Sequence, residues 1–255
     1  MTKIKVSGCI VTYNESETIV PCVQSLLEYT RGVDFQLYIS DNCSQDETVE
    51  LIQKRFPEVK ILKNETNGGF GYGHDQVMEF LDSDYHVVIN PDIFVKEDTI
   101  RELVAYLEAH PEAGMVTPRI LNPDGSEQFL PKRPPSIRYV ILSKFRPFRK
   151  HRRFYTREDD HLDTSTPIEF CTGCFFAIRT SLFKELGGFD RRYYMYFEDA
   201  DLSRMVLEQG YEIIFHPAVA VYHIWHRANT RTIKGIVRFL SSMVKYFQKW
   251  GWRFC

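Results

Sequence analysis

Three carboxylic side chains lie close together in the sequence and are its first candidates for proton transfer. Glu198, Asp199 and Asp201 follow an aromatic stretch at residues 193–197. Aromatic neighbours exclude water from a carboxylate, and this raises its pKa towards the range in which a general base works. Acidic residues in the first turn of a helix also complement the helix dipole, so the cluster has a structural interpretation as well.

A second group of residues has the chemistry of a metal site. Asn90-Pro91-Asp92 follows a short apolar stretch, and Pro91 is expected to end that strand. Asp92 could then hold a hard divalent cation between diphosphate oxygens, although Pro-Asp pairs are also common in turns. His223 and His226 form a pair that could lie near the same metal or phosphate.

Polar residues after two further strands suit a nucleoside. They are Thr12, Tyr13, Asn14 and Glu15 after the first strand, and Asp41 and Asn42 after the second. Asp and Asn side chains can pair with the imide edge of a pyrimidine, and Tyr13 offers a ring for stacking. Helix capping is an alternative role for Asn14 and Ser44.

The segment Asn67–Gly73 contains four glycines and is predicted to open a helix. Glycine allows a backbone to approach phosphate groups closely at a helix N-terminus, and Gly69 is our candidate for that contact. The pattern matches neither a Walker loop nor the spaced dinucleotide fingerprint.

The elements that must position these residues alternate in type. Strands are predicted at Lys5–Tyr13, Phe35–Ser40, Val59–Leu62 and Tyr85–Asn90, and helices at Glu17–Tyr29, Asp46–Phe56 and Asp75–Leu81. This alternation predicts parallel βαβ units and an α/β fold. Such sheets bind ligands beyond the carboxyl ends of their strands, where the four polar clusters are expected to converge.

The second half of the chain is less regular. Prolines accumulate and the periodicity is lost over about residues 122–166. Beyond it we predict strands at Ile168–Ile178 and Tyr211–His216, and helices at Ser181–Leu186, Asp199–Gln209 and Thr232–Trp250. Cys171 and Cys174 have no second Cys/His pair at zinc-finger spacing, which argues against a zinc site.

Composition limits the class of protein. The 255 residues are 44% hydrophobic with a net charge of −2, which predicts one large folded domain and no nucleic-acid partner. Residues 1–6 lack the apolar run of a signal peptide, and no apolar stretch reaches the ~18 residues of a membrane span. Six scattered cysteines are typical of reduced, cytosolic thiols.

The predicted C-terminal helix is amphipathic. Its apolar face consists of Ile233, Ile236, Val237, Leu240, Met243, Val244, Phe247 and Trp250, and its basic face of Lys234, Arg238, Lys245 and Lys249. No acidic residue occurs from Arg227 to Cys255. The helix either packs on the domain with a solvated basic back or lies at an anionic membrane surface, and the basic run Lys144–Arg157 favours the second interpretation.

Residues 5–226 resemble the family 2 glycosyltransferases of GT-A fold, especially their rhamnosyltransferase-like branch. The matching segments occur in family order: Ile10–Asn14, Asp41–Asp46, Asn67–Gly71, Asn90–Asp92, Gly173, Gly187–Asp190, Phe197–Leu202 and His223. The resemblance implies a single GT-A (Rossmann-like) domain over residues 1–226 with a mostly parallel central sheet. Residues 1–120 would bind the nucleotide sugar, residues 121–226 would bind the acceptor and carry the base, and 227–255 would form the basic helix.

The resemblance also implies residue roles. Residues matching Thr12, Asn14, Glu15 and Asp41 contact the nucleotide in that family. Those matching Asp92 and His223 bind the metal, and the one matching Asp199 deprotonates the acceptor. Glu198, Asp201, Arg227 and Arg231 are further candidates for acceptor or leaving-group contacts. Asn90 stands where relatives usually have a metal-facing Asp, and His74-Asp75 replaces a frequent Asn after the glycine loop.

The expected function is therefore an inverting glycosyltransferase that uses Mg²⁺ or Mn²⁺. Its expected donor is a dTDP- or UDP-sugar, with dTDP-rhamnose our first choice, and its acceptor a lipid-linked glycan of cell-surface polysaccharide synthesis. We expect it on the cytoplasmic face of the membrane. A sugar nucleotidyltransferase would need a basic phosphate-attacking signature near the first loop, which is absent. A noncatalytic sugar- or membrane-binding module would be favoured by loss of Asp199 or Asp92, and both are present.

Overall fold

The computed structural model describes residues 3–142, 149–224 and 232–254. The strands of this part form one sheet: β1 (Lys5–Thr12), β2 (Asp34–Asp41), β3 (Lys60–Lys63), β4 (Tyr85–Ile89), β5 (Ile93–Phe94), β6 (Ala113–Leu121), β7 (Thr166–Ile168), β8 (Phe175–Arg179) and β9 (Glu212–His223). The strand order is β3-β2-β1-β4-β8-β6-β9-β5, and β7 pairs with β9. The first four strands run parallel, as their alternation with helices predicts.

Helices connect and cover these strands. They are α1 (Ile19–Tyr29), α2 (Thr48–Arg55), α3 (Phe70–Asp75), α4 (Thr99–Ala109), α5 (Ile137–Leu142), α6 (Arg149–Tyr155), α7 (Thr180–Glu185), α8 (Glu198–Glu208) and α9 (Ile233–Trp250), with a 3₁₀ turn at Met78–Phe80. Strand β8 runs antiparallel to both β4 and β6, so it joins the parallel first half of the sheet to the second half. The α/β fold expected from the sequence is confirmed.

Both faces of the sheet are covered. Val87 and Ile89 of β4 pack with helices α1 and α4 on one face, whereas Val88 packs with α7 and α8 on the other. Burying one such aliphatic side chain contributes about 1.5–3 kcal/mol to folding. Every residue of β4 is buried, and this rigid strand ends immediately before Asn90 and Asp92.

Three predicted elements differ from the structure. The helix begins at Phe70, directly after the positive-φ Gly69 and within the segment predicted to open it, but it ends at Asp75, and residues 78–80 of the expected Asp75–Leu81 helix form only a 3₁₀ turn. The strand expected over Ile168–Ile178 is interrupted at 169–174, where the backbone turns away to contact α8. Strand β9 continues past His216 to His223 through a register shift opposite β6, so His223 is its last residue.

Helix α9 uses only part of its apolar face for packing. Met243, Tyr246 and Phe247 are buried in a cluster with residues of α8 and the loop before it. The N-terminal half differs: Ile233 is 83% exposed and Val237 is 60% exposed. No helix of the described residues is long and apolar enough to cross a membrane.

Candidate active site

The carboxyl ends of β1 and β2 bring the predicted nucleotide-binding residues together. Thr12 and Asp41 are register partners, and the Thr12 hydroxyl donates a 2.9 Å hydrogen bond to Asp41 Oδ1. Ser44 donates to the same carboxylate through its amide and its hydroxyl. Asp41 is therefore held in place in the crevice beyond the carboxyl ends of β1 and β2, and Asn42 beside it is also buried.

Asn14 crosslinks two loops and does not cap a helix. Its amide donates to Ser44 Oγ, and its Oδ1 accepts from the amide of Gln45. Asn14 has φ 57°, a left-handed conformation that asparagine tolerates better than most residues. Tyr13 next to it is 47% exposed, so its ring is available at the crevice. Glu15 is tied to the same loops through its amide, which donates to Thr48 Oγ1.

Gly69 joins the nucleotide edge, which consists of residues 12–15, Asp41 and Asn42, to the loop before α8 on the other side of the crevice. Its carbonyl accepts a 3.0 Å hydrogen bond from Asn42 Nδ2, and the amide of Phe70 donates to the carbonyl of Tyr194. Gly69 has φ 96°, and a Cβ atom there would lie 1.9 Å from the Tyr194 oxygen. Glycine is required here both for the backbone conformation and for this close approach.

Asp92 and His223 meet although they come from different halves of the chain. The Oδ1 atom of Asp92 lies 3.2 Å from Nε2 of His223, and both side chains are mostly buried. Asp92 follows β4, and His223 ends β9, whose partner β5 begins immediately after Asp92. The antiparallel β5–β9 pairing thus brings the two predicted metal ligands together.

Gln128, a residue that our sequence analysis missed, orients His223. Its Nε2 donates to the His223 carbonyl at 2.8 Å and to Asn122 Oδ1 at 2.9 Å. Its Oε1 therefore remains as the acceptor 3.0 Å from His223 Nδ1, which must carry the proton. In the neutral imidazole, Nε2 then directs its lone pair towards the Asp92 carboxylate, an arrangement that a cation between the two would stabilise.

This donor set fits a hard divalent cation bound together with a ligand. Among the described residues no group of three His, Cys, Asp or Glu side chains could hold a metal. Asp92 and His223 would supply two donors, and diphosphate oxygens and water would have to supply the others, as Mg²⁺ commonly requires. The backbone amide of Asn90 donates a hydrogen bond to the Cys174 carbonyl, and this contact fixes the turn that presents Asp92.

Asp199 is the second residue of α8, which follows two strained residues. Tyr196 and Phe197 have φ 73° and 68°, left-handed conformations that cost about 1–2 kcal/mol each in a non-glycine residue. They lie in the α7–α8 loop (residues 186–197). Asp199 Oδ2 accepts from the Gly173 amide at 3.1 Å, and Oδ1 accepts from the Ala200 amide. The segment that interrupts the predicted strand thus fixes the candidate base.

Burial and a neighbouring cation change the proton affinity of Asp199 in opposite directions. Burial raises the pKa of Asp199, and the ammonium of Lys132 lowers it. Burial, reinforced by the Asp199 charge, raises the pKa of Glu198 to about 8. Glu198 Oε2 is buried and accepts no hydrogen bond within the part of the chain described. Adjacent buried carboxyls whose pKa values are both raised are typical of acid–base sites.

Lys132 is a second site residue that was not predicted from the sequence. Its backbone amide donates to the carbonyl of Phe170, and its ammonium lies 5.2 Å from the centre of the Phe170 ring. Thr172 is fixed in the same way, because its hydroxyl donates to the Leu130 carbonyl. Gln128 and Lys132 belong to one irregular segment that contacts both the metal pair and the surroundings of the base.

Asp201 does not face the crevice. Its side chain is fully buried and accepts hydrogen bonds from Tyr193, Lys249 and Trp250. Our prediction of an acceptor contact is therefore replaced by a contact between α8 and α9. Arg227 and Arg231, the other predicted leaving-group residues, lie outside the described residues, as do His226 and residues 144–148 of the basic run.

The sequence as a whole places the chain in a family. A profile of glycosyl transferase family 2 matches residues 7–187, so the chain belongs to that family. An N-acetylglucosaminyl-diphospho-decaprenol L-rhamnosyltransferase of Mycobacterium tuberculosis is 29% identical over 75% of this chain and 66% of its own length. The rhamnosyltransferase WbbL of Escherichia coli K12 is 26% identical over 72% of each chain. The resemblance to the rhamnosyltransferase-like branch is confirmed.

Solved structures confirm the fold. The mannosyltransferase PcManGT of Pyrobaculum calidifontis, in complex with GDP-Man and Mn²⁺, superposes with a TM-score of 0.68 over 98% of this chain and 64% of its own. GalNAc-T7 with UDP, GalNAc and Mn²⁺ gives a TM-score of 0.72 over 96% of this chain and 48% of its own. Both are 18% identical to this chain. The fold is that of the GT-A glycosyltransferases.

Proposed function

We propose that this chain transfers a sugar from a nucleoside diphosphate to an acceptor hydroxyl with inversion at the anomeric carbon. Asp199 would accept the hydroxyl proton as the acceptor oxygen bonds to the anomeric carbon. The bond from that carbon to the diphosphate breaks in the same step, and the nucleoside diphosphate leaves. One displacement without a covalent intermediate needs a base and a bound leaving group, and the site offers candidates for both.

The observation that carries this proposal is the contact between Gly69 and Tyr194. The nucleotide edge reaches Gly69 through Asn42, and Tyr194 lies in the loop that ends at the candidate base. A donor bound beyond β1 and β2 would therefore have its leaving group between the nucleotide residues and α8. Proximity of this kind is what a transferase must supply, because it turns a bimolecular reaction into an effectively unimolecular one.

Asp92 and His223 are the residues that would hold Mg²⁺ or Mn²⁺. When bound, the cation would supply positive charge to the departing diphosphate. Gln128 keeps the His223 ring in the tautomer that this role requires. The structures of PcManGT and GalNAc-T7 in complex with Mn²⁺ support the same use of the fold.

The relatives support a donor and an acceptor class. One is named for L-rhamnose transfer to N-acetylglucosaminyl-diphospho-decaprenol, and another is a rhamnosyltransferase. We therefore propose dTDP-rhamnose as the donor and a polyprenyl-diphosphate-linked glycan as the acceptor. Thr12, Asn14, Glu15 and Asp41 would contact the nucleotide, and Tyr13 would stack on its base.

A lipid-linked acceptor requires access to a bilayer, and we propose that α9 supplies it at the cytoplasmic surface. Its exposed N-terminal half presents Ile233, Ile236, Val237 and Leu240, with Lys234 and Arg238 among them. An apolar stripe beside basic residues suits a bilayer containing anionic lipids. Half of the stripe expected for the membrane is instead used for packing, so the proposed contact is limited to residues 233–240.

A donor panel tests the proposal. Purified chain is mixed with dTDP-rhamnose, UDP- and GDP-sugars in Mg²⁺ or Mn²⁺, and the melting temperature and release of nucleoside diphosphate are measured with and without a polyprenyl-diphosphate-GlcNAc acceptor. We expect dTDP-rhamnose to stabilise the protein and to release dTDP only with acceptor. Stabilisation without release under any condition would support the noncatalytic alternative. The anomeric configuration of the product, read by NMR, decides between inversion and retention.

A further inference from the structure

The C-terminal half of α9 contacts the α7–α8 loop along its length. Ser242 Oγ donates to the Met195 carbonyl at 2.8 Å, and Lys245 Nζ donates to the Arg192 carbonyl at 2.7 Å. Lys249 Nζ contacts Asp190 at 3.0 Å, near the start of the loop. The family profile ends at residue 187, so α9 lies beyond the matched region, as do α8 and most of the α7–α8 loop that it contacts.

The last contact of this series reaches α8 itself. Asp201 is completely buried, and its two oxygens accept 2.7 Å and 2.6 Å hydrogen bonds from Lys249 Nζ and Trp250 Nε1. Tyr193 donates a third hydrogen bond to the same carboxylate. Asp199 and Asp201 are two positions apart in the helix, so they lie on roughly opposite sides of it. While Asp199 contacts Gly173, Asp201 fixes the other side of the first turn.

The strained residues before Asp199 are packed against the same helix. The ring of Phe197 lies 5.4 Å from the ring of Tyr246, measured between centres, and 6.5 Å from that of Phe247. Left-handed residues persist only where the surrounding structure determines them. Here α9 holds the left-handed residues in place through apolar contacts with Phe197 and hydrogen bonds to Asp201.

We propose that α9 is a positioning element of the catalytic base, and that Lys249 and Trp250 act on Asp199 through Asp201. This inference rests on the proposed role of Asp199. It assigns to a helix outside the family match a task within the reaction, in addition to any contact with a membrane. Loss of the Lys249 and Trp250 hydrogen bonds to Asp201 would release the first turn of α8, whereas Thr12 and Asp41 at the ends of β1 and β2 would keep their own hydrogen bond.

Two substitutions test the proposal. Lys249→Met removes the cation and keeps most of the chain length, and Trp250→Phe removes one hydrogen-bond donor and keeps the ring. We expect both to lower kcat, the first by on the order of tenfold or more, because small displacements of a catalytic group have large effects on rate. The KM for the donor should stay close to the wild-type value. Melting temperatures and donor binding establish that each variant is folded at the assay temperature.

A pH profile separates positioning from simple packing. Without Lys249 the buried Asp201 carboxylate is no longer neutralised, so a proton on Asp199 becomes more favourable and the acid limb of kcat moves to higher pH. Lys245→Met is the matched control, since Lys245 donates only to a carbonyl and its loss should leave the position of this limb unchanged. Folded Lys249→Met and Trp250→Phe proteins with wild-type kcat and pH profile would overturn the proposal.

The measurement does not depend on the identity of the donor. Any nucleotide sugar that the chain turns over can supply the profile. If none is turned over, the proposed function fails, and ¹³C NMR titration of the Asp199 carboxyl still tests the coupling. An upward shift of that titration in Lys249→Met, absent in Lys245→Met, supports the proposal, and identical titrations overturn it. If Lys249→Met does not fold, Lys249→Gln takes its place in this comparison, because it removes the same charge and keeps a polar group near Asp201.

Discussion

The Nδ1 atom of His223 lies 3.0 Å from Oε1 of Gln128, and this contact determines which ring nitrogen faces Asp92. The Gln128 amide hydrogens are engaged by the His223 carbonyl and by Asn122, so the amide cannot reverse without losing both contacts. A histidine whose second nitrogen is bound in this way is typical of a metal ligand. Substitution of Gln128 therefore tests the metal site as substitution of Asp92 or His223 would.

Gln128→Leu should weaken metal binding on the order of 10- to 100-fold, as removal of a partner of a metal-bound histidine usually does. Mn²⁺ binding followed by EPR in the presence of dTDP measures this directly, and Mn²⁺ dependence of transfer measures it again. Chelation by EDTA should abolish transfer by the wild type, and Mg²⁺ or Mn²⁺ should restore it. Full activity in EDTA would mean that basic side chains neutralise the leaving group, with Arg227 and Arg231 the first to be replaced.

Asp199→Asn should keep donor binding and lower kcat by at least ~10²-fold, because only proton removal from the acceptor is affected. Isothermal titration with the donor and steady-state kinetics measure the two quantities separately. Glu198→Gln is the matched comparison, since it neutralises the neighbouring carboxyl and leaves Asp199 able to accept a proton. Near-normal turnover by Asp199→Asn would assign the base to Glu198, because Asp201 is fully engaged by Tyr193, Lys249 and Trp250.

The pH dependence of kcat should respond to Lys132. Its positive charge favours the ionised form of Asp199 and so lowers the pKa of that carboxyl. Lys132→Met removes this effect, the pKa of Asp199 rises, and the acid limb of the profile moves to higher pH because the base must be ionised to act. Lys132→Arg keeps the charge and should retain a profile close to that of the wild type. If Met and Arg variants have the same profile, Lys132 does not influence the base.

The sequence predicted β1 to β4 and helices α1 and α2 well, because strands and helices alternate there and each is a local pattern, but it did not identify α4 or β6. It failed where distant segments determine the structure. Gln128 and Lys132 lie in a stretch without periodicity, and only the folded chain shows that Gln128 contacts His223 and that Lys132 contacts Phe170 near Asp199. The helical pattern of α9 identified an apolar face but could not show which half of that face the domain covers. Asp92 and His223 were grouped by their chemistry as metal ligands and by the family resemblance, since no spacing in the sequence links them.

Gly69→Ala should strongly destabilise the protein and weaken donor binding. An added Cβ would have to lie 1.9 Å from the Tyr194 carbonyl oxygen, in a backbone conformation unfavourable to alanine. Gly125→Ala is the control, because Gly125 also has a positive φ but a Cβ there meets no atom within 4 Å. The control should cost about 1–2 kcal/mol in free energy of unfolding from backbone conformation alone. Urea denaturation compares the two, and equal losses would show that the contact with Tyr194 adds nothing.

The exposed half of α9 should attach the protein to bilayers that contain anionic lipids. Truncation of α9 is not a suitable test, because it would also remove Met243, Tyr246 and Phe247 from a buried cluster. Replacing Ile236 and Val237 together by serine changes only exposed positions. In co-sedimentation with phosphatidylglycerol vesicles we expect the wild type to bind at low salt and the double variant to bind markedly less.

Salt dependence completes this test. Each basic residue near an anionic surface contributes about 1 kcal/mol, so Lys234 and Arg238 should make the attachment reversible and sensitive to ionic strength. Lys234→Gln should weaken binding at low salt and have a smaller effect at high salt. Ser241→Ala, at an exposed position on the same helix, is the control and should bind as the wild type does. A wild-type protein that ignores these vesicles at low salt would contradict the membrane contact and would leave the packing of α9 against the α7–α8 loop as its only supported role.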